Sequence, residues 1–164
     1  MLDFWDEATF LLDTMVQKAK GQDKDGMDLS FTLGTTALAK KSRSSSFRDA
    51  MNNARPSQDP YSATDMEHSL SEIFEEFREK ATTKDKKVKR LTIIVLTDGK
   101  WDAMVDKRNV NLKIVEFVQR LRGDNILPLE KRPVSIQFVQ FGNDQEATQR
   151  LRGLDNEMKK HNIE

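Results

Sequence analysis

The spacing of hydrophobic residues changes several times along the chain, and each change predicts a switch between helix and strand. From Asp3 to Lys20 apolar residues recur at intervals of three and four, which is typical of an amphipathic helix. Asp3 is its expected N-cap, and Gly21 is expected to end it. From Met27 to Leu33 apolar and polar residues alternate, which predicts a half-buried strand.

The second half of the chain shows clearer patterns. It is predicted to contain a helix from Thr64 or Asp65 to about Lys80, a strand over Leu91–Thr97, a helix over Val110–Arg122, a strand over Val134–Phe141 and a last helix capped by Asn143 or Asp144. The strand over Leu91–Thr97 is almost continuously apolar and β-branched, which favours a place in a parallel sheet with both faces covered. The alternation of helices and strands therefore predicts an α/β domain with a mostly parallel sheet.

Residues 35–61 carry the weakest pattern. The stretch Lys40–Ser46 is polar and basic, and Pro56 and Pro60 bracket a loop. We expect a surface excursion here, with one poor edge strand and a short helix over Phe47–Ala54.

The composition excludes several classes of protein. The 27 Lys and Arg residues balance 27 Asp and Glu residues, and this formal net charge of +0 argues against a dedicated binder of nucleic acid or anionic membranes. Cysteine is absent, which excludes disulfides, thiolate metal sites and thiol nucleophiles. No apolar run approaches a membrane span and the N-terminus does not resemble a signal peptide, so we expect a cytoplasmic protein. The length of 164 residues suits one domain.

Asp98 offers the most marked chemistry, because it directly follows the most apolar strand. Ligands of open α/β sheets bind beyond the carboxyl ends of strands, and a carboxylate there is placed to hold a hard cation. The alternative is that Asp98-Gly99 simply forms a tight turn. Thr64 is a second candidate, either as a helix N-cap or as a hydroxyl ligand near Asp98.

These residues resemble a known family. Thr97-Asp98-Gly99 after an apolar strand, and a loop from Pro60 to Thr64 that leads into a Leu-containing helix, are similar to the von Willebrand factor A-type (vWA) domain. Residues 25–31 resemble the second strand of that family, and residues 141–147 resemble the passage from its fifth strand to its fifth helix. The resemblance implies a three-layer Rossmann-like fold with a mostly parallel sheet, and a non-enzymatic protein-interaction module.

The resemblance also implies a metal-ion-dependent adhesion site, in which three loops and an acidic group of a partner surround Mg²⁺. Thr64 matches the second motif of that site and Asp98 the third, although Ser62 stands where the family has glycine. The first motif, Asp-x-Ser-x-Ser, does not occur in the sequence. We therefore expect residues 1–164 to be a single partial domain that lacks the first, central strand and the last strand. We also expect weak or absent Mg²⁺ binding, because Mg²⁺ demands six oxygen ligands.

Asp28-x-Ser30-x-Thr32 approximates the missing motif. In a strand these side chains lie about 7 Å apart per step, too far apart to surround one ion. We interpret them as the polar face of a strand.

The expected partner is a protein that engages the rim carrying Thr64 and Asp98, with no nucleic acid and no membrane as partners. Loss of the central strand also predicts self-association through open sheet edges. Two alternatives remain open, namely a metal-assisted hydrolase that uses Asp98 and a degenerate fragment without biochemical activity. The hydrolase alternative is weakened because the sequence contains no glycine-rich phosphate loop and no cysteine.

Overall fold

The computed structural model describes residues 1–22, 24, 26–32, 37–56, 64–83, 89–123, 133–161 and 163. After a 3₁₀ turn at Leu2–Phe4, the elements in chain order are α1 (Trp5–Ala19), β1 (Met27–Ser30), β2 (Ala37–Lys41), α2 (Ser44–Asn53), α3 (Met66–Thr82), β3 (Leu91–Thr97), α4 (Asn109–Gly123), β4 (Val134–Gln140) and α5 (Gln145–Lys160). The predicted mixture of helices and strands is confirmed. The chain divides into two compact units, Met1–Thr64 and Asp65–Glu164. That all 164 residues form one partial domain stays a prediction.

In the first unit, α1 buries one apolar stripe, which consists of Trp5, Ala8, Leu12 and Val16. The prediction that Asp3 caps this helix is wrong. Asp3 belongs to the 3₁₀ turn, and the cap position is held by Phe4, whose side chain makes no capping hydrogen bond. The helix ends before Gly21, as predicted, and Gly21 has a positive φ of 84°.

β1 and β2 form an antiparallel pair in which Met27 lies opposite Lys41 and Leu29 opposite Leu38. The alternating burial of β1 confirms its predicted strand period. Gly26 leads into the pair with a φ of 81°, and a Cβ there would lie 2.7 Å from the carbonyl oxygen of Lys41. Only glycine fits this close approach without a backbone shift.

The expectation of a surface excursion is wrong for α2. Phe47, Ala50 and Met51 of this helix are buried, and Nε1 of Trp5 donates a hydrogen bond to the Met51 carbonyl at 3.0 Å. The helix therefore contributes to the core of the first unit.

In the second unit, β3 and β4 pair in parallel over seven positions, from Leu91 opposite Val134 to Thr97 opposite Gln140. Helices α3, α4 and α5 contribute to the core cluster that includes β3. At its centre the rings of Phe74 and Phe117 stack with centroids 4.0 Å apart. The predicted parallel pairing of these two strands is confirmed.

Only one face of β3 belongs to this core, contrary to the expectation that both faces are covered. Ile93 is buried, whereas Thr92 is exposed and Ile94 is 36% exposed. Among the described strands, β1 pairs only with β2 and β3 only with β4. No helix in the described part of the chain combines the length and apolar character needed to cross a membrane.

Candidate functional site

Asp98 lies at the carboxyl end of β3, where the chain leaves the sheet through a tight turn. Its side chain is largely buried, with the residue 9% exposed. Gly99 continues the turn with a φ of 77°, and a Cβ at this position would lie 2.5 Å from the Cβ of Ala147 in α5. The turn therefore depends on glycine for both its conformation and its close approach to α5.

Hydrogen bonds hold the turn from within. Oγ1 of Thr97 accepts from the Gly99 N–H at 2.9 Å and from Nε1 of Trp101 at 3.3 Å. Oδ1 of Asp98 accepts from the Lys100 N–H at 3.1 Å, which is the geometry of an Asx turn. This hydrogen bond supports the alternative that Asp98 forms a tight turn. Asp98 also lies at the carboxyl end of β3, and ligands of open α/β sheets generally bind beyond the carboxyl ends of strands.

Trp101 anchors the segment after the turn. Its side chain is fully buried, with its ring centroid 6.3 Å from that of Phe138 on β4. The guanidinium of Arg150 lies over the indole at 5.5 Å from its centroid, which is a cation–π arrangement, and donates a hydrogen bond to the Gly99 carbonyl. Sequence reasoning missed both residues, because they are brought together only by the packing of α5.

Charges around the turn come from Lys100 and from the start of α5. Nζ of Lys100 lies 3.9 Å from Oδ2 of Asp144. Asp144 caps α5 by accepting from the Ala147 N–H at 2.9 Å. This backbone hydrogen bond, with the nearby charge of Lys100, lowers the pKa of the Asp144 carboxyl below its ordinary value. Of the two caps predicted for α5, the structure uses Asp144.

Thr64 is half-buried and precedes α3 without capping it. The cap is Asp65, whose Oδ1 accepts from the His68 N–H at 2.9 Å, so the N-cap role considered for Thr64 is wrong. Thr64 ends the first unit and Asp98 belongs to the second, and each is described within its own unit. Their convergence on one ion stays a prediction. Ser62, which departs from the family motif, lies outside the described residues.

The donor set fits a metal ion poorly. Within the described ranges there is no group of three or more His, Asp or Glu side chains that could hold one. Asp28 and Ser30 are both exposed on β1, and Oδ1 of Asp28 accepts from the Lys40 N–H at 2.6 Å across the hairpin. This contact favours the interpretation of the Asp28 motif as a polar strand face.

Comparisons of the chain with models of known families, with curated proteins and with solved structures gave no match.

Proposed function

We propose that this chain is a non-enzymatic protein-interaction module of the von Willebrand factor A type, which engages a protein partner at the rim that carries Asp98. One observation carries the proposal. Asp98 stands at the carboxyl end of a parallel strand pair, and ligands of open α/β sheets bind beyond the carboxyl ends of the strands. The family resemblance adds Thr64 as the second residue of the site.

The proposal includes a three-layer Rossmann-like arrangement of the vWA type that lacks the first and last strands. Its support within the second unit is the parallel pairing of β3 and β4, with α4 as the connection between them. Further support comes from the core cluster, to which β3 and helices α3 and α4 all contribute side chains.

The proposal gives Mg²⁺ a weak role or none in this chain alone. A carboxylate at Asp98 and a hydroxyl at Thr64 supply few of the six oxygens that octahedral Mg²⁺ demands. Calorimetric titration with Mg²⁺ and Mn²⁺ is therefore expected to give no saturable binding in the micromolar range. Micromolar affinity that disappears in Asp98→Ala would contradict this expectation.

A photo-crosslinking amino acid tests the interaction itself. It is placed at Lys100, which is exposed beside Asp98, and in a control at Asn156, which is exposed on α5 far along the helix from the turn. We expect one defined protein adduct from position 100 that is lost in Asp98→Ala and absent from position 156. Identical adducts from both positions would contradict a partner at this rim.

An activity screen separates the module from the hydrolase alternative. The proposal predicts no phosphatase or esterase turnover, because the described part of the turn contains no histidine and the sequence no cysteine. Turnover that is lost in Asp98→Asn, with the variant still folded, would replace the proposal with the hydrolase alternative.

A further inference from the structure

The outer edge of β3, defined as the side of Leu91–Thr97 that does not face β4, has no strand beside it in the described part of the chain. We infer that β3 pairs antiparallel with β3 of a second copy, so that this chain forms a twofold homodimer through a shared sheet. The inference goes beyond the proposed function and does not depend on it, since it rests on the strands alone.

The parallel ladder fixes which backbone groups point to the outer edge. The Leu91 N–H donates to the Pro133 carbonyl at 2.9 Å, and the Phe141 N–H donates to the Thr97 carbonyl at 2.8 Å. In a parallel pair, alternate residues direct both backbone groups to the same neighbour, so the odd-numbered residues of β3 bond to β4. The residues whose N–H and C=O groups point to the outer edge are therefore Thr92, Ile94 and Leu96.

This edge lacks three of the features that protect natural edge strands, namely charged side chains, proline and bulges. From Leu91 to Thr97 the sequence has no charge and no proline, and the register with β4 is unbroken. Ile94 is 36% exposed beside the edge. β4 instead alternates with exposed Ser135 and Gln137, which is typical of a strand with one solvated face. Of these two strands, β3 is thus the one that gains more from a new neighbour.

A second copy of β3 complements the edge. A twofold axis at Ile94, the middle of the strand, overlaps the two strands completely and pairs every outward-pointing residue. Ile93 then lies beside Val95 of the second copy, which is a favourable β-branched pair. Arg90, exposed before the strand, lies at the position across from Asp98 of the second copy, so residues of opposite charge stand at opposed positions at both ends. Because a second copy of this strand matches the edge on both faces and at both ends, we assign the edge to a second copy.

Sedimentation equilibrium of the full chain tests the dimer. We expect a mass of twice 18.9 kDa for the unmodified chain and a monomer for Ile94→Lys, which adds a charge at the edge. Gln137→Lys is the matched control, because Gln137 lies opposite Ile94 on β4 and is exposed, and it should remain dimeric. Circular dichroism checks that both variants are folded. A monomeric unmodified chain, or dissociation of both variants alike, would overturn the inference.

Single cysteines test the register without relying on a disruptive variant, since the sequence has no cysteine of its own. Ile94 lies opposite its own counterpart, where antiparallel Cα atoms are about 5.5 Å apart and suit a disulfide. Thr92 lies opposite Leu96 of the second copy, and therefore about four residues, or roughly 13 Å along the strand, from Thr92 of that copy. This distance is too long for a disulfide. Mild oxidation should link Ile94→Cys into a covalent dimer and leave Thr92→Cys unlinked. Equal linking of the two variants, or none for Ile94→Cys, would overturn the assigned register.

Discussion

The hydroxyl of Thr97 supports the Asp98 turn from inside the protein. Thr97 is 3% exposed, and its Oγ1 is the acceptor for the Gly99 N–H and for the indole N–H of Trp101. Thr97→Val keeps the shape of the side chain but removes the acceptor for both donors. We expect the free energy of unfolding to fall by about 1–3 kcal/mol, measured by urea unfolding. Thr97→Ser keeps the hydroxyl and should lose much less, so equal losses would show that the hydrogen bonds contribute little.

Gly99 is the residue of the turn that tolerates a side chain least. Alanine at this position would hold a left-handed φ at a cost of roughly 1–2 kcal/mol, and its Cβ would meet that of Ala147 at 2.5 Å. We expect Gly99→Ala to lower the free energy of unfolding by about 2 kcal/mol or more. Ala147→Gly removes the contact, so the two substitutions together should cost less than the sum of their separate losses in a double-mutant cycle. Additive losses would contradict the close approach of the turn to α5.

At the residue scale, sequence reasoning finds groups with strong local signals and misses those defined by packing. Asp98 could be predicted because a carboxylate directly follows the most apolar strand. Trp101 and Arg150 could not, because they meet only once α5 lies beside the end of β3. Thr64 and Asp65 are both suitable caps by residue type. The backbone of α3 selects Asp65, and the sequence contains no signal for that choice.

At the scale of elements, the start of α5 links the charge of one side chain to the stability of a helix. The pKa of the Asp144 carboxyl lies below its ordinary value, so its ionised form stabilises the folded chain. That contribution is fully present above the unfolded value of 3.8 and is lost as the pH falls through the lower folded value. Asp144→Asn keeps a capping acceptor but loses the charge beside Lys100.

We therefore expect Asp144→Asn to melt at a lower temperature than the unmodified chain at pH 7, with the difference shrinking below pH 3.8. Thermal melts followed by circular dichroism over this range measure it. The other carboxylates titrate in both proteins, so their effect cancels in the difference between the two melting temperatures. A difference that stays constant across the pH range would show that the charge of Asp144 does not stabilise α5.

Strongly patterned elements are predictable here, and short ones are less so. The seven residues of β3 match the predicted strand Leu91–Thr97, because a short apolar run rich in β-branched residues favours a strand. β2 and α2 are placed less well, since they have only five and ten residues and short elements give short patterns. Their stability comes from contacts distant in sequence, such as the pairing with β1 and the bond from Trp5 to the Met51 carbonyl. The spacing of apolar residues along the sequence does not predict such contacts.

At the scale of the whole molecule, the class of fold is predictable but the division into two units is not. Helix and strand periods follow from local spacing, which is why the α/β class could be inferred. The pairing of β1 with β2 and of β3 with β4 depends on contacts between distant segments. The boundary at Thr64 likewise follows from which side chains pack together, and the prolines at positions 56 and 60 predict a loop there but not a division into units.

The two units differ in the size of their cores, and we expect them to differ in stability. The first unit has 64 residues, and its buried apolar set includes the small Ala8 and Ala50. The second unit buries a large cluster of aromatic and branched side chains around Phe74 and Phe117. Because a chain of about 60 residues buries a smaller fraction of its surface than a longer one, the first unit should unfold at lower urea concentration.

The two tryptophans of the sequence make this difference measurable, because Trp5 lies in the first unit and Trp101 in the second. In Trp101→Phe the remaining fluorescence reports the unmodified first unit, and in Trp5→Phe it reports the unmodified second unit. We expect the Trp5 signal to change at the lower urea concentration of the two. Coincident transitions, also matched by circular dichroism of the unmodified chain, would instead show that residues 1–164 unfold as one cooperative body. That outcome would favour the single-domain prediction over independent units.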